Sequence, residues 1–130
     1  MTLLLDTHVL IWALGAPERL PTSVRGRLID RRQRLAVSAA SAFEIATKHR
    51  LGRLPEAAAF VHDFDRQVTR LGADNLPIDA RHAVTAGMLE WSHPDPFDRM
   101  LAAQAMTEGL MLVSADTVFQ GLPGIRVLWG

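Results

Sequence analysis

Leu3-Leu4-Leu5 is a short, uninterrupted apolar run, the pattern of a strand buried on both faces. It stops on Asp6. Val9, Leu10, Ile11, Trp12 and Leu14 then predict a helix from about Thr7 to the breaker Gly15-Ala16-Pro17. Pro21 opens a second helix, with Val24, Leu28 and Ile29 on one side and arginines on the other. Leu35-Ala36-Val37 reads as a second buried strand. A third helix begins at Ser38, carries Phe43, Ile45, Ala46 and Leu51, and closes at Gly52. A fourth runs from Pro55 through Phe60, Val61, Phe64 and Val68 to Leu71 and Gly72.

Leu76-Pro77-Ile78 predicts a short strand at a sheet edge, because proline cannot donate to a central ladder. Asp79 is a natural cap for a helix through Val84, Met88 and Leu89. Asp95-Pro96, an acidic cap followed by proline, starts another helix that passes Met100, Leu101, Ala105 and Met106 to reach Gly109. Leu110-Met111-Leu112-Val113 is the clearest buried strand after the first, ending at Ser114-Ala115-Asp116, and Ile125-Arg126-Val127-Leu128 closes the sheet. Short apolar strands alternating with helices specify an α/β fold with a mostly parallel sheet. No repeat, low-complexity tract or linker divides the chain, so residues 1–130 are expected to form one domain.

Composition narrows the class. Of 130 residues, 48% are hydrophobic and 22% charged, which fits a folded protein with a real core and argues against disorder. There is no cysteine, which excludes a disulfide scaffold, thiolate metal sites and cysteine nucleophiles. No apolar run is long enough to cross a bilayer, and the chain reaches Asp6 without a basic leader, so a soluble cytoplasmic protein is expected. The zero net charge hides an asymmetry. Residues 19–53 carry nine of the 14 basic side chains against two acids, and residues from 54 onward carry five basics against ten acids. Arg31, Arg32 and Arg34 lie in the basic half and are candidate contacts for nucleic-acid phosphates; the alternative is a solvated helix face.

Four acids are candidates for chemistry. Asp6 and Asp116 both follow buried strands, and so should reach the same edge of a parallel sheet, where ligands of such sheets bind. Either alone is as well explained as a helix cap. Glu44 lies within two turns of the end of the second strand. It also fits a capping box with Ser41 and an ion pair with Lys48. Asp98 falls in a first helical turn, where an acid is favoured without any function, and Asp95 reads as the cap. Taken together they point further. Carboxylates about 4 Å apart repel by roughly 4 kcal/mol per pair at an effective dielectric of about 20, so the group calls for a cation. All-oxygen ligands favour Mg²⁺ or Mn²⁺ over zinc. Such an ion can activate water against a phosphodiester. Thr7, His8 and Ser114 stand beside these acids as possible support, although a single histidine is more often structural. His49, His62, His82 and His93 show no ligand spacing and are given no role, and three tryptophans scattered along the chain suggest no base-stacking platform.

The segments Leu4-Leu5-Asp6-Thr7-His8-Val9-Leu10-Ile11-Trp12, Val37-Ser38-Ala39-Ala40-Ser41-Ala42-Phe43-Glu44-Ile45-Ala46, Asp95-Pro96-Phe97-Asp98-Arg99-Met100-Leu101-Ala102-Ala103-Gln104-Ala105 and Leu112-Val113-Ser114-Ala115-Asp116 resemble, in order, the four motifs of PIN-domain toxins of the VapC type. The resemblance implies a PIN-like five-stranded sheet with helices on both faces. It also implies metal-dependent endoribonuclease activity, with Asp6, Glu44, Asp98 and Asp116 as catalytic and metal-binding acids. A cognate antitoxin and a tendency to form homodimers come with it. Two rival readings are a metal-dependent phosphohydrolase acting on a small phosphate ester and a PIN-like RNA-binding domain without catalysis. The basic half favours a polymer substrate, and none of the four acids is missing.

Overall fold

Leu3, Leu4 and Leu5 are fully buried because their strand, β1 (Leu3–Leu5), occupies the middle of a five-stranded sheet. The structure is a computed structural model and describes residues 1–130. The other strands are β2 (Leu35–Ser38), β3 (Asp74–Leu76), β4 (Met111–Val113) and β5 (Arg126–Leu128), in spatial order β3-β2-β1-β4-β5. All four pairings are parallel, with Leu4 opposite Ala36 on one side and Leu112 on the other. Seven helices connect them: α1 (Thr7–Gly15), α2 (Thr22–Ile29), α3 (Ala39–Arg50), α4 (Ala58–His62), α5 (Phe64–Leu71), α6 (Ala80–Met88) and α7 (Pro96–Glu108).

The two-residue alternation of a strand divides the core. Leu3, Leu5, Val37 and Val113 pack against Val9 and Leu10 of α1, Val24 of α2, Ile45 of α3 and Val68 of α5. Leu4, Ala36 and Leu112 face the other way, onto Leu101, Ala102 and Ala105 of α7 and onto Phe119. Both faces are therefore covered, as a parallel sheet requires. From β1 the chain steps outward through β2 to β3. It then returns to the far side of β1 for β4 and β5, so the strand order reverses between β1 and β4. Open parallel sheets bind ligands beyond the carboxyl ends of the strands at such a reversal.

Three expectations shift. The edge strand is Asp74–Leu76 rather than Leu76–Ile78, because Asp74 and Asn75 pair with Ala36 and Val37 through their backbones despite being polar. Pro77 ends that strand. The helix expected from Pro55 to Leu71 is broken: a 3₁₀ turn over Pro55–Ala57 precedes α4, and Asp63 adopts φ −154° and ψ 78° between α4 and α5. Its carboxylate accepts the Arg66 N–H at 3.2 Å and starts α5 afresh. The capping box expected of Ser41 and Glu44 is absent, since α3 is capped by Ser38, whose hydroxyl accepts the Ala40 N–H at 2.9 Å.

Candidate active site

Asp6 is delivered by β1 and held by both neighbours of the reversal. Its backbone N–H donates to Val113 O at 3.0 Å, tying it to the end of β4. Its carboxylate accepts the Val9 N–H at 2.9 Å and caps α1. Asp116 arrives three residues beyond β4, where its carboxylate accepts the Val118 N–H at 3.0 Å. Both acids are thus helix or turn caps as well as members of the site. Glu44 comes from α3 and Asp98 from the first turn of α7, with Asp95 as the cap that accepts the Phe97 and Asp98 N–H groups. All four acids line one cleft of about 460 Å³. The largest cleft, about 600 Å³, lies elsewhere, beside Arg25, Arg31 and Arg70, and holds none of them.

The acids form a gradient of exposure. Asp6 and Glu44 are buried, Asp98 is half-buried and Asp116 is exposed. Burial pushes the Asp6 carboxyl above the usual carboxylate range, partly offset by the Ser114 hydroxyl, the Val9 N–H and His8, while Asp98 pushes it up further. Asp98 is also raised, first by burial and then by the charges of Asp95 and Glu44, against which His93 acts. Glu44 is held from two sides. Thr7 Oγ1 donates to Glu44 Oε1 at 2.5 Å, Ser41 Oγ lies 3.0 Å from Thr7 Oγ1, and Lys48 Nζ pairs with Glu44 Oε2. With its proton committed to Glu44, the Thr7 hydroxyl takes its second bond from Ser41. Ser114 is buried, and its hydroxyl accepts the Asp116 N–H at 3.0 Å.

His8 is exposed at the cleft wall, and its ring lies 5.7 Å from that of Trp12, one helical turn on. Trp129 lies 6.1 Å from Trp12, and the Arg19 guanidinium sits 4.5 Å above the Trp12 ring. Trp12 and Trp129, far apart in sequence, are therefore brought together by the fold, whereas Trp91 packs elsewhere, on Phe119. Arg31, Arg32 and Arg34 are not brought to the acids. They precede β2, at the opposite edge of the sheet, at least about 10 Å away at 3.3 Å of strand rise per residue. Arg32 there pairs with Asp30 at 3.2 Å and Arg34 with Asp74 at 3.1 Å.

His93 is the residue that sequence reasoning missed. Its Nε2 lies 2.7 Å from Asp98 Oδ2, and His93, Asp95 and Asp98 offer ligand atoms all within 4.8 Å of one another. No spacing among histidines reveals this, because its hydrogen-bond partner is a carboxylate on a helix five residues later. Arg99 was likewise unmarked, and its guanidinium ties five backbone carbonyls between Ala86 and His93 to α7.

A doubly wound parallel sheet with an acidic cleft at its strand reversal is the class of protein these observations define. The PIN domain family model matches residues 3–125, and the chain belongs to that family. It is 33% identical over 119 residues to Ribonuclease VapC22 of Mycobacterium tuberculosis, covering 88% of this chain and 87% of that protein. It is 25% identical over 126 residues to the tRNA(fMet)-specific endonuclease VapC of Shigella flexneri, covering 95% and 93%. Among solved structures, the fold is shared with VapBC2 from Rickettsia felis bound to a DNA fragment from its promoter. That match has a TM-score of 0.72 at 17% identity, with all of each chain covered. It is also shared with DNA-bound VapBC from Salmonella typhimurium, with a TM-score of 0.70 at 22% identity over 98% and 97% of the chains.

Proposed function

We propose that this chain is a metal-dependent endoribonuclease and the toxin component of a toxin–antitoxin pair. The observation that carries the reading is the convergence of Asp6, Glu44, Asp98 and Asp116 on one cleft with Lys48 as the only ammonium among them. Such a group stays ionised together only beside a cation. The donor set is all oxygen, which fits Mg²⁺, with Mn²⁺ able to substitute. When bound, such an ion makes water a better nucleophile and stabilises charge developing on phosphate. The chain's own residues set the stage. Thr7 and Lys48 fix the two oxygens of Glu44, the Ser114 hydroxyl accepts the Asp116 N–H and favours the charged form of Asp6, and the β1–β4 pairing keeps Asp6 and Asp116 at one edge.

RNA is favoured over a small ester by the wall of His8 and Trp12 with Arg19 stacked on it, since aromatic rings and guanidinium planes are what unpaired bases stack on. The presence of all four acids favours catalysis over RNA binding alone. The curated relatives are named as nucleases, and structural neighbours are complexes with an antitoxin partner. A protein partner also suits Phe43, which is 68% exposed beside Glu44 and packed edge-on to Phe97 at 5.4 Å. Purified protein freed of any partner should cut RNA with Mg²⁺ or Mn²⁺ and stop with EDTA. Asp6→Asn should lower the rate at least about 100-fold with an unchanged circular dichroism spectrum. Parental rates in that variant, or cleavage that persists in EDTA, would remove the assignment.

A further inference from the structure

We propose that His93 is a positioning residue for this site, holding one oxygen of Asp98 so that the other is presented to the metal ion. The inference rests on the metal-dependent reading above and extends it to a side chain outside the four acids. His93 Nε2 lies 2.7 Å from Asp98 Oδ2. An ionised carboxylate only accepts, so the imidazole donates from Nε2, and Asp98 Oδ2 is thereby occupied. The ring is held in place. It packs on Trp91 with centroids 4.9 Å apart, and Trp91 packs in turn on the buried Phe119 at 5.7 Å. The loop is also locked to the helix that carries Asp98. Arg99, the next residue, donates from Nη1 to Trp91 O at 2.8 Å and to His93 O at 3.1 Å. Acid and imidazole are thus fixed to the same turn of α7.

His93 also stands near enough to Asp95 and Asp98 to be considered as a ligand itself, with ligand atoms within 4.8 Å. Two observations favour positioning. Its Nε2 is already committed to Asp98, and turning the ring onto an ion would break both that bond and the Trp91 packing. A donor that orients a ligating carboxylate contributes about 10- to 100-fold in metal affinity.

The test is Mn²⁺ binding by calorimetry to the purified full-length chain, its His93→Ala variant and its His93→Gln variant. Alanine should weaken binding about 10- to 100-fold. Glutamine, whose amide N–H reaches a similar point, should recover it to within a few-fold of the parent. A merely structural role would move the melting temperature of both variants and leave affinity unsplit. Binding by His93→Ala within twofold of the parent overturns the proposal. So does a glutamine variant no better than alanine, and nitrogen coupling in the parent's Mn²⁺ spin-echo spectrum would then mark the ring as a direct ligand. If the parent itself binds no Mn²⁺, the metal-dependent reading fails first, which separates the two failures.

Discussion

Asp6 caps α1 through the Val9 N–H and at the same time lines the acidic cleft, and those two tasks ask different things of its charge. Capping needs only an acceptor, which asparagine also supplies. The cleft needs a carboxylate in a place where burial disfavours it. Asp6 and Asp98 are both held above the ordinary aspartate value, chiefly by burial. A carboxyl raised in the folded state binds its proton more tightly there than in the unfolded chain. The stability it contributes is therefore complete below the unfolded value, near 3.9, and is lost as pH rises through the folded value. Metal-free Asp6→Asn is accordingly expected to be more stable than the parent at pH 7, by on the order of 1 kcal/mol. At this chain length that is about 3–5 °C in Tm. The gain should shrink as pH approaches 4. Thermal melts in EDTA across that range check it, and a variant that melts lower than the parent at pH 7 would show that the carboxylate is not a burden. Asp6, Asp98 and Asp116 were legible in sequence because each follows a strand or opens a helix, and Glu44 because it lies within two turns of the end of β2. His93 was not, because its hydrogen bond to Asp98 depends on how a loop without secondary structure folds back.

That loop is an element-scale device. Arg99 donates to the carbonyls of Ala86, Gly87 and Leu89 at the end of α6, and to those of Trp91 and His93 beyond it. A cation at the end of a helix satisfies the carbonyls that have no partner within it. Five acceptors around one guanidinium also fix the path from α6 to α7. Arg99→Met should therefore destabilise the fold by about 2–3 kcal/mol, since several half-buried carbonyls lose a charged donor. Arg99→Lys should recover less than half of that loss, because an ammonium cannot reproduce the planar fork. Urea denaturation of the three proteins decides it; a loss below about 0.5 kcal/mol in Arg99→Met would make the network incidental. Elements were legible wherever an apolar run or a cap-and-proline signal was present, as in β1, β4 and α7. β3 was misplaced by two residues because Asp74 and Asn75 are polar and give no apolar run, although their backbones pair with β2. The break at Asp63 was hidden because apolar residues at Phe60, Phe64 and Val68 keep helical spacing across it.

At the scale of the whole molecule, the sheet separates two chemistries that the sequence had seemed to place together. The acids gather beyond the carboxyl ends of the strands, and Arg31, Arg32 and Arg34 lie at the amino ends. These arginines cannot hold the phosphate that is cut, because a strand's length lies between. We propose instead that they serve a longer RNA whose backbone continues around the sheet edge. Arg31 makes no ion pair, whereas Arg32 and Arg34 each pair with an exposed carboxylate. Such exposed pairs are worth at most about 1 kcal/mol, so phosphate can replace the carboxylate, but the exchange cancels part of the electrostatic gain. Replacing all three with alanine should therefore lower the salt dependence of long-RNA binding by nearer one than three phosphate equivalents, a slope change of about 0.7–0.9. Cleavage of an oligonucleotide too short to leave the cleft should stay within twofold of the parent. A triple variant that loses short-substrate cleavage would place these arginines at the site after all. An unchanged slope on long RNA would leave them as a solvated surface.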